Sequence, residues 1–231
     1  MTNKFVVPSF FRDYLRCVVS GPSFAGKSEL CVKIVRERKS LFQSDIHRVI
    51  WYNTTPNAIP NLSNVLNIEK TYLHDPDELE QIVTTDSIRN SLLIIDDALF
   101  TSDQLISKIF TKLSHHYGFH VIIIVQNLFP RTKYSRTISL NANTLILFKN
   151  ARDLLQVRTL AYQLNPSNAS FILDAYKRAT LLPFSYLVVD LYQDTPEQLR
   201  YRGSLFPSTG KYIVYIPKKK DKYDETSINK I

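Results

Sequence analysis

The sequence predicts an α/β fold with a mostly parallel central sheet and flanking helices. Short apolar runs alternate with stretches of helical periodicity, as expected where helices connect parallel strands. The runs are continuously apolar, which is typical of strands buried on both faces. The clearest are SLLIID at Ser91–Asp96 and HVIIIVQ at His120–Gln126.

The individual elements follow in order along the chain. Helix starts are indicated by Pro76 beside Asp75, and by Ser102 ahead of Leu105, Ile109 and Leu113 at helical spacing. Strands are expected over 15–20, 48–53, 91–96, 120–126, 144–149, 185–190 and 211–216, the last two peripheral. Helices are expected over 27–37, 76–84, 152–162 and 168–178 and from 102 onward, with 54–66 mostly loop.

Composition excludes several classes of protein. The 231 residues are 44% hydrophobic and 22% charged, which excludes a disordered chain and predicts one domain over 1–216. No apolar run reaches the roughly 18 residues of a membrane span, and Met1–Pro8 lacks the features of a signal peptide. Two cysteines, Cys17 and Cys31, without a Cys/His cluster favour a reducing compartment and argue against structural zinc.

A phosphate-binding loop is the strongest local motif. The segment GPSFAGKS fits GxxxxGK[ST], the Walker A pattern, and lies between an apolar run and a helix. Glycines let the backbone wrap around phosphate, and the helix start directs free N–H groups at it. Lys27 is expected to contact the β and γ oxygens and Ser28 to hold Mg²⁺. The phosphate-contacting positions are Gly21, Pro22, Ser23, Phe24, Ala25, Gly26, Lys27 and Ser28.

An acidic pair ends the strand LLII and forms a Walker B pattern. Asp96 is expected to bind Mg²⁺ directly or through water. Asp97 is expected to polarise the attacking water, a role usually given to the longer Glu. The alternative for Asp97 is that it caps the helix that follows.

A third buried strand ends in the amides Gln126 and Asn127. Gln126 could hydrogen-bond both the γ-phosphate and the attacking water. Spacing alone gives equal weight to the alternative, a strand end that enters a loop through polar residues.

Several segments together resemble one family, the DNA-packaging ATPases of the FtsK/HerA superfamily found in poxvirus-type viruses and Polinton/Maverick elements. They are LLIIDDALF, SHHYGFHVIIIVQNLFP, RTISLNANTLILFKNARD and FSYLVVDLYQDTPEQLRYRGSLFP, and the resemblance extends from Leu15 to Pro207. It implies a RecA-like (ASCE) P-loop NTPase core, with ATP and Mg²⁺ as cofactors and the Gln126 strand between the phosphate-loop strand and the Asp96 strand. That position strengthens the sensor role of Gln126.

The resemblance also implies partners. Such proteins act as rings, usually hexamers, that push double-stranded DNA into a capsid, in the host cytoplasm or nucleus. A ring needs an arginine from the neighbouring subunit at the transition state. Arg136 is the favoured candidate and Arg152 the second, ahead of Arg131 and Arg158.

The charge balance agrees with a polyanionic partner. The net charge is +8, and the expected mobile tail over 217–231 opens with PKKKDK, which could bind DNA, direct nuclear import or maintain solubility.

The sequence also leaves two alternative functions open. The chain could be a P-loop nucleotide or small-molecule kinase, or a non-hydrolysing nucleotide-dependent assembly protein of the virion.

Overall fold

A computed structural model describes residues 11–96, 99–130, 132–206 and 212–217. Within these residues, eight strands form one sheet. The strands are β1 (Arg16–Ser20), β2 (Arg48–Asn53), β3 (Glu69–Leu73), β4 (Ser91–Asp96), β5 (His120–Val125), β6 (Thr144–Phe148), β7 (Tyr186–Asp190) and β8 (Tyr201–Arg202).

Helices cover both faces of this sheet. They are α1 (Lys27–Arg36), α2 (Arg38–Leu41), α3 (Pro76–Val83), α4 (Leu99–Lys108), α5 (Ser114–Tyr117), α6 (Ser135–Asn141), α7 (Leu154–Leu164) and α8 (Ala169–Ala179). A π-helical segment, Ile109–Leu113, continues α4 into α5. No helix in the described ranges is both long and apolar enough to cross a membrane.

The strand order is β3-β2-β4-β5-β1-β6-β7-β8. The strands from β3 to β6 in this order are parallel, whereas β7 and β8 are antiparallel to their neighbours. The α/β class and the mostly parallel sheet are therefore confirmed. The position of β5 between β4 and β1, implied by the family resemblance, is confirmed as well.

Among the described residues, two apolar clusters, one on each face of the sheet, form the core. Successive residues of a strand point to opposite faces, so Val18 joins one cluster while Cys17 and Val19 join the other. Leu93 and Leu92 divide between the clusters in the same way. This double burial explains why the central strands are continuously apolar in sequence.

The structure corrects several predicted elements. Strand β3 and helix α6 were not predicted, and α4 begins at Leu99, three residues before the predicted Ser102. Strand β7 is buried between β6 and β8 and does not lie at the edge. The strand predicted over 211–216 is reduced, within the described residues 212–217, to one antiparallel bridge between Val214 and Arg202 beside β8.

Candidate active site

The phosphate loop begins where β1 ends, in close contact with the neighbouring strands. The Gly21 N–H donates to the Val125 carbonyl of β5 at 3.2 Å. On the other side, a Cβ built on Gly21 would lie 2.6 Å from Phe148 Cβ of β6. Only glycine therefore allows the backbone to pass this close to β6.

The loop ends at Gly26, which is the N-cap of α1. Gly26 has φ +92°, a left-handed conformation that favours glycine, and its carbonyl accepts from the Leu30 N–H at 2.9 Å. The first N–H groups of α1, including that of Lys27, consequently point towards the loop, at the positive end of the helix dipole. Lys27 Nζ donates to the Pro22 carbonyl at 2.8 Å, so the ammonium lies against the loop backbone.

Ser28 and Asp96 are brought together from different elements. Ser28 lies in the first turn of α1, and Asp96 is the last residue of β4 and is 8% exposed. The Ser28 hydroxyl donates to Asp96 Oδ2 at 3.1 Å. A hydroxyl and a carboxylate this close provide the hard oxygen ligands that Mg²⁺ prefers. Asp97, predicted to act on the water, lies outside the described residues.

Gln126 follows the last residue of β5, between the two parts of this site. In the sheet register, Val125 pairs with Ser20 of β1 and Ile124 pairs with Asp96 of β4. The backbone of Gln126 therefore leaves the sheet between the phosphate loop and Asp96. The Gln126 side chain is exposed.

The backbone after Gln126 is hydrogen-bonded to Gln156, a residue that was not predicted from the sequence. Gln156 Oε1 accepts from the backbone N–H groups of Leu128 and Phe129, at 2.7 and 3.3 Å. Gln156 in turn donates to Asp153, which caps α7, at 2.6 Å. The pattern Asp-Leu-Leu-Gln at 153–156 is a capping-box signal that could have indicated this helix start.

A second missed residue, Tyr176, fixes the end of β6 beside the loop. Its hydroxyl donates to the Phe148 carbonyl at 3.0 Å and accepts from the Asn150 N–H at 2.8 Å. Burial raises the pKa of Tyr176, and the neutral phenol can make both hydrogen bonds. No motif in the sequence indicates this contact.

Cys31 lies behind the phosphate loop in the core. Burial raises the pKa of its thiol well above the ordinary value, and the nearby Cys17 and Asp96 add to the rise while Lys27 opposes it. A buried, neutral thiol of this kind is an apolar packing group and not a nucleophile.

The predicted arginines lie on the surface. Arg136 is in the first turn of α6, Arg152 follows β6, and Arg158 lies on α7 with its guanidinium 6.0 Å from the centre of the Tyr162 ring. All three are exposed. Arg131 lies outside the described residues.

Together, the strand order, the phosphate loop and the contact between Ser28 and Asp96 define the fold as that of a P-loop NTPase. Solved structures agree. The chain is similar to the genome packaging NTPase B204 from Sulfolobus turreted icosahedral virus 2 in complex with sulfate. The TM-score is 0.53 at 18% identity, over 79% of this chain and 94% of that one.

Two further structures of B204 give the same result. The complex with ATP-gammaS has a TM-score of 0.52 at 16% identity, over 89% and 97% of the two chains. The complex with AMPPCP has a TM-score of 0.53 at 16% identity, over 89% and 98%. No protein-family model and no curated protein matches the sequence. At these identities the likeness establishes the fold, and it confirms the fold that the family resemblance implied.

Proposed function

We propose that this chain is an ATPase that drives double-stranded DNA into a viral capsid. The observation that carries the ATPase part is the 3.1 Å contact between Ser28 and Asp96 at the mouth of a phosphate loop. The DNA-packaging part is supported by the fold shared with a viral genome packaging NTPase and by the net charge of +8.

The phosphate loop and Asp96 bind different parts of the nucleotide and its metal ion in this proposal. The N–H groups at the start of α1 bind the β-phosphate, because a helix N-terminus directs its first N–H groups and the positive end of its dipole at an anion. Lys27 exchanges its contact with the Pro22 carbonyl for the β and γ oxygens of ATP. Ser28 and Asp96 hold Mg²⁺, which neutralises charge that develops on the phosphates during transfer.

Gln126 and Asp97 act on the water molecule that attacks the γ-phosphate. Gln126 leaves the sheet between the phosphate loop and Asp96, and from there an amide can hydrogen-bond both the γ-phosphate and the water. Asp97 accepts the proton of the water as general base. Hydrolysis by Asp97→Asn should fall while ATP binding persists, and turnover near that of the wild type would disprove the base assignment.

In this proposal the chain assembles into a ring, most simply a hexamer. The ring acts with capsid proteins at sites of virion assembly in the host cytoplasm or nucleus. Arg136 is the residue offered to the neighbouring subunit, because it stands in RTISLNA, the segment most typical of the resembled family, and is exposed in the first turn of α6. The guanidinium would stabilise charge on the transferring phosphoryl group. Loss of such an arginine typically lowers the rate by about 10³–10⁵-fold.

Subunit mixing tests the arginine. Arg136→Ala and Lys27→Ala should each be inactive alone, but mixed rings contain interfaces with an intact Lys27 site and an intact Arg136. Partial recovery of hydrolysis is therefore expected on mixing. If rings form and no activity returns, Arg136 is not the shared residue, and the same mixing with Arg152→Ala becomes the next experiment.

Translocation is tested by displacement of a third strand from the end of a long linear duplex. With ATP, the wild type should release the third strand, whereas Lys27→Ala should not. A non-hydrolysable analogue is the matched control with unmodified protein. Hydrolysis without strand release, on a duplex that the protein binds, would contradict the translocase proposal while leaving the ATPase proposal intact.

A further inference from the structure

An exposed aromatic side chain, Phe184, lies directly beside the phosphate loop. A Cβ built on Gly26 would lie 3.3 Å from Phe184 Cδ1 and 3.9 Å from Phe148 Cε1. Phe184 belongs to the turn between α8 and β7, which pairs with β6 on the side of the sheet away from Asp96. Phe184 and the loop meet although Gly26 and Phe184 are 158 positions apart in the sequence.

Two other aromatic residues on this side of the loop are buried, and Phe184 is not. Phe148 and Tyr186 are 3% and 8% exposed, with ring centres 5.3 Å apart beneath the loop. Phe184 is 71% exposed. A core residue of this size would bury most of its ring, so packing does not explain why a phenylalanine stands here.

The backbone conformation of Phe184 also indicates a ligand-binding role. Phe184 has φ +60° and Phe24, in the phosphate loop, has φ +62°. Bulky residues other than glycine rarely adopt the left-handed region, and such strain concentrates at ligand-binding positions. Thus two strained, exposed aromatic residues flank Gly26, one on the loop itself and one across from it.

We propose that Phe184 stacks on the nucleobase of the nucleotide whose phosphates the loop holds, an inference that rests on the ATPase function proposed above. The base extends from the phosphates through the ribose, so it must lie on a surface continuous with the loop. Phe184 offers an accessible aromatic ring there, and stacking on a ring is favourable for every base.

Stacking has a consequence for substrate choice. It depends on the area of the π-face and not on the hydrogen-bonding edge of the base. Purine nucleotides should therefore bind more tightly than pyrimidine nucleotides, and ATP and GTP should bind with similar affinity. The substrate class of the proposed site is then a purine nucleoside triphosphate.

The turn that presents Phe184 does not depend on its ring. The Leu182 carbonyl accepts from both the N–H and the hydroxyl of Ser185, at 3.3 and 2.6 Å. Phe184→Ala leaves these bonds in place and keeps a non-glycine residue in the left-handed conformation. The fold should survive the substitution, so a loss of affinity can be assigned to the ring.

The experiment compares ATP with inorganic tripolyphosphate, which has the phosphates and no base, in the presence of Mg²⁺. Calorimetry should show that Phe184→Ala weakens ATP binding about tenfold and leaves tripolyphosphate binding unchanged. Phe184→Trp should retain ATP affinity. Leu182→Ala, which removes a 69% exposed apolar side chain from the same turn, is the matched control and should bind both ligands normally.

Each other outcome overturns the inference. Equal loss of affinity for both ligands in Phe184→Ala would assign Phe184 to the loop structure. No loss for either ligand, or a loss of ATP affinity in Phe24→Ala instead, would place the base elsewhere. These results differ from failure of the proposed function, in which the wild type binds neither ligand or Lys27→Ala binds both as well as the wild type does.

Discussion

Asp96 and Asp190 both end a buried strand, yet the ends of these two strands lie on opposite sides of the sheet, because β4 and β7 run in opposite directions. Strand β4 runs parallel to β1, so Asp96 lies at the carboxyl ends of these strands, where the phosphate loop begins. It accepts a hydrogen bond from the Ser28 hydroxyl at 3.1 Å. Strand β7 is antiparallel to β6, so Asp190 lies opposite Thr144, at the start of β6. Strand direction alone thus separates a candidate metal ligand from a residue far from the loop.

The partners of the two carboxylates also differ. Asp190 forms a buried ion pair with Arg202 and accepts from the Thr195 hydroxyl at 2.7 Å and the Tyr192 N–H at 3.2 Å. A guanidinium and two further donors hold Asp190 in place as a structural group. The contact of Asp96 with the phosphate loop is through a hydroxyl, which can act beside the carboxylate as a ligand of the same cation. The comparison therefore predicts a functional role for Asp96 and a structural role for Asp190.

Asp96→Asn should give the largest effect on activity. Loss of a carboxylate ligand weakens the charge stabilisation by Mg²⁺, and ATP hydrolysis should fall by about 1,000-fold or more. The midpoint of thermal unfolding should change little, because asparagine keeps the shape and can still accept from Ser28. Steady-state phosphate release measures the first quantity and circular dichroism the second. An active Asp96→Asn would abolish the distinction between the two aspartates.

Asp190→Asn should do the reverse. It removes one partner of the buried Asp190–Arg202 ion pair, and breaking such a pair typically lowers the free energy of unfolding by about 3–5 kcal/mol. Burial already lowers the pKa of Arg202, while Asp190 opposes that shift. Urea denaturation measures the loss, and hydrolysis per folded molecule should stay near that of the wild type.

The double variant Asp190→Leu/Arg202→Met is the control for this interpretation. It removes both charges, so it should be more stable than Asp190→Asn. If the double variant is the less stable of the two, the loss of stability comes from lost packing and not from the broken ion pair.

The smallest expected effect is on the pH dependence of stability and comes from His120. This residue begins β5 and so lies at the amino ends of the parallel strands, away from the phosphate loop. The Leu15 N–H donates to His120 Nδ1 at 3.3 Å, so Nε2 carries the proton and donates to the Ser44 hydroxyl at 2.9 Å. Burial lowers the pKa of His120 from 6.5 to about 4, against a smaller opposing effect of Asp13.

This lowered pKa predicts a pH dependence of stability. The neutral ring is favoured in the folded state, so its contribution is fully present above pH 6.5 and is lost as the pH falls from 6.5 towards 4. The loss should reach about 3 kcal/mol at pH 4. Urea denaturation between pH 7 and pH 4 should show this component in the wild type and in His116→Gln, an exposed control, but not in His120→Gln. An unchanged slope in His120→Gln would refute the assignment.

The sequence predicted the phosphate loop and the strands beside it well, because a contiguous motif marks the loop and continuous apolar runs mark the strands. The phosphate loop is contiguous, and β4 and β5 are runs of aliphatic residues whose bounds agree within one residue. Strand β3 was missed because Glu69–Leu73 is half-exposed and polar, and α6 because Ile138 is its only buried residue.

Residues that act through tertiary contacts could not be predicted in this way. The runs ending at Asp96 and Asp190 look alike in sequence, and only the antiparallel direction of β7 distinguishes them. Gln156, Tyr176 and Phe184 reach the site from segments distant in the chain. Such positions depend on packing across the sheet, which periodicity does not report.

The most direct test of a DNA-dependent ATPase is steady-state ATP hydrolysis by the purified chain, with and without long double-stranded DNA, over a range of protein concentrations. The site around Ser28 and Asp96, together with an arginine shared between subunits, predicts a rate per chain that rises with DNA and climbs steeply with protein concentration. Hydrolysis that is absent, or that responds to neither DNA nor protein concentration, would contradict this account.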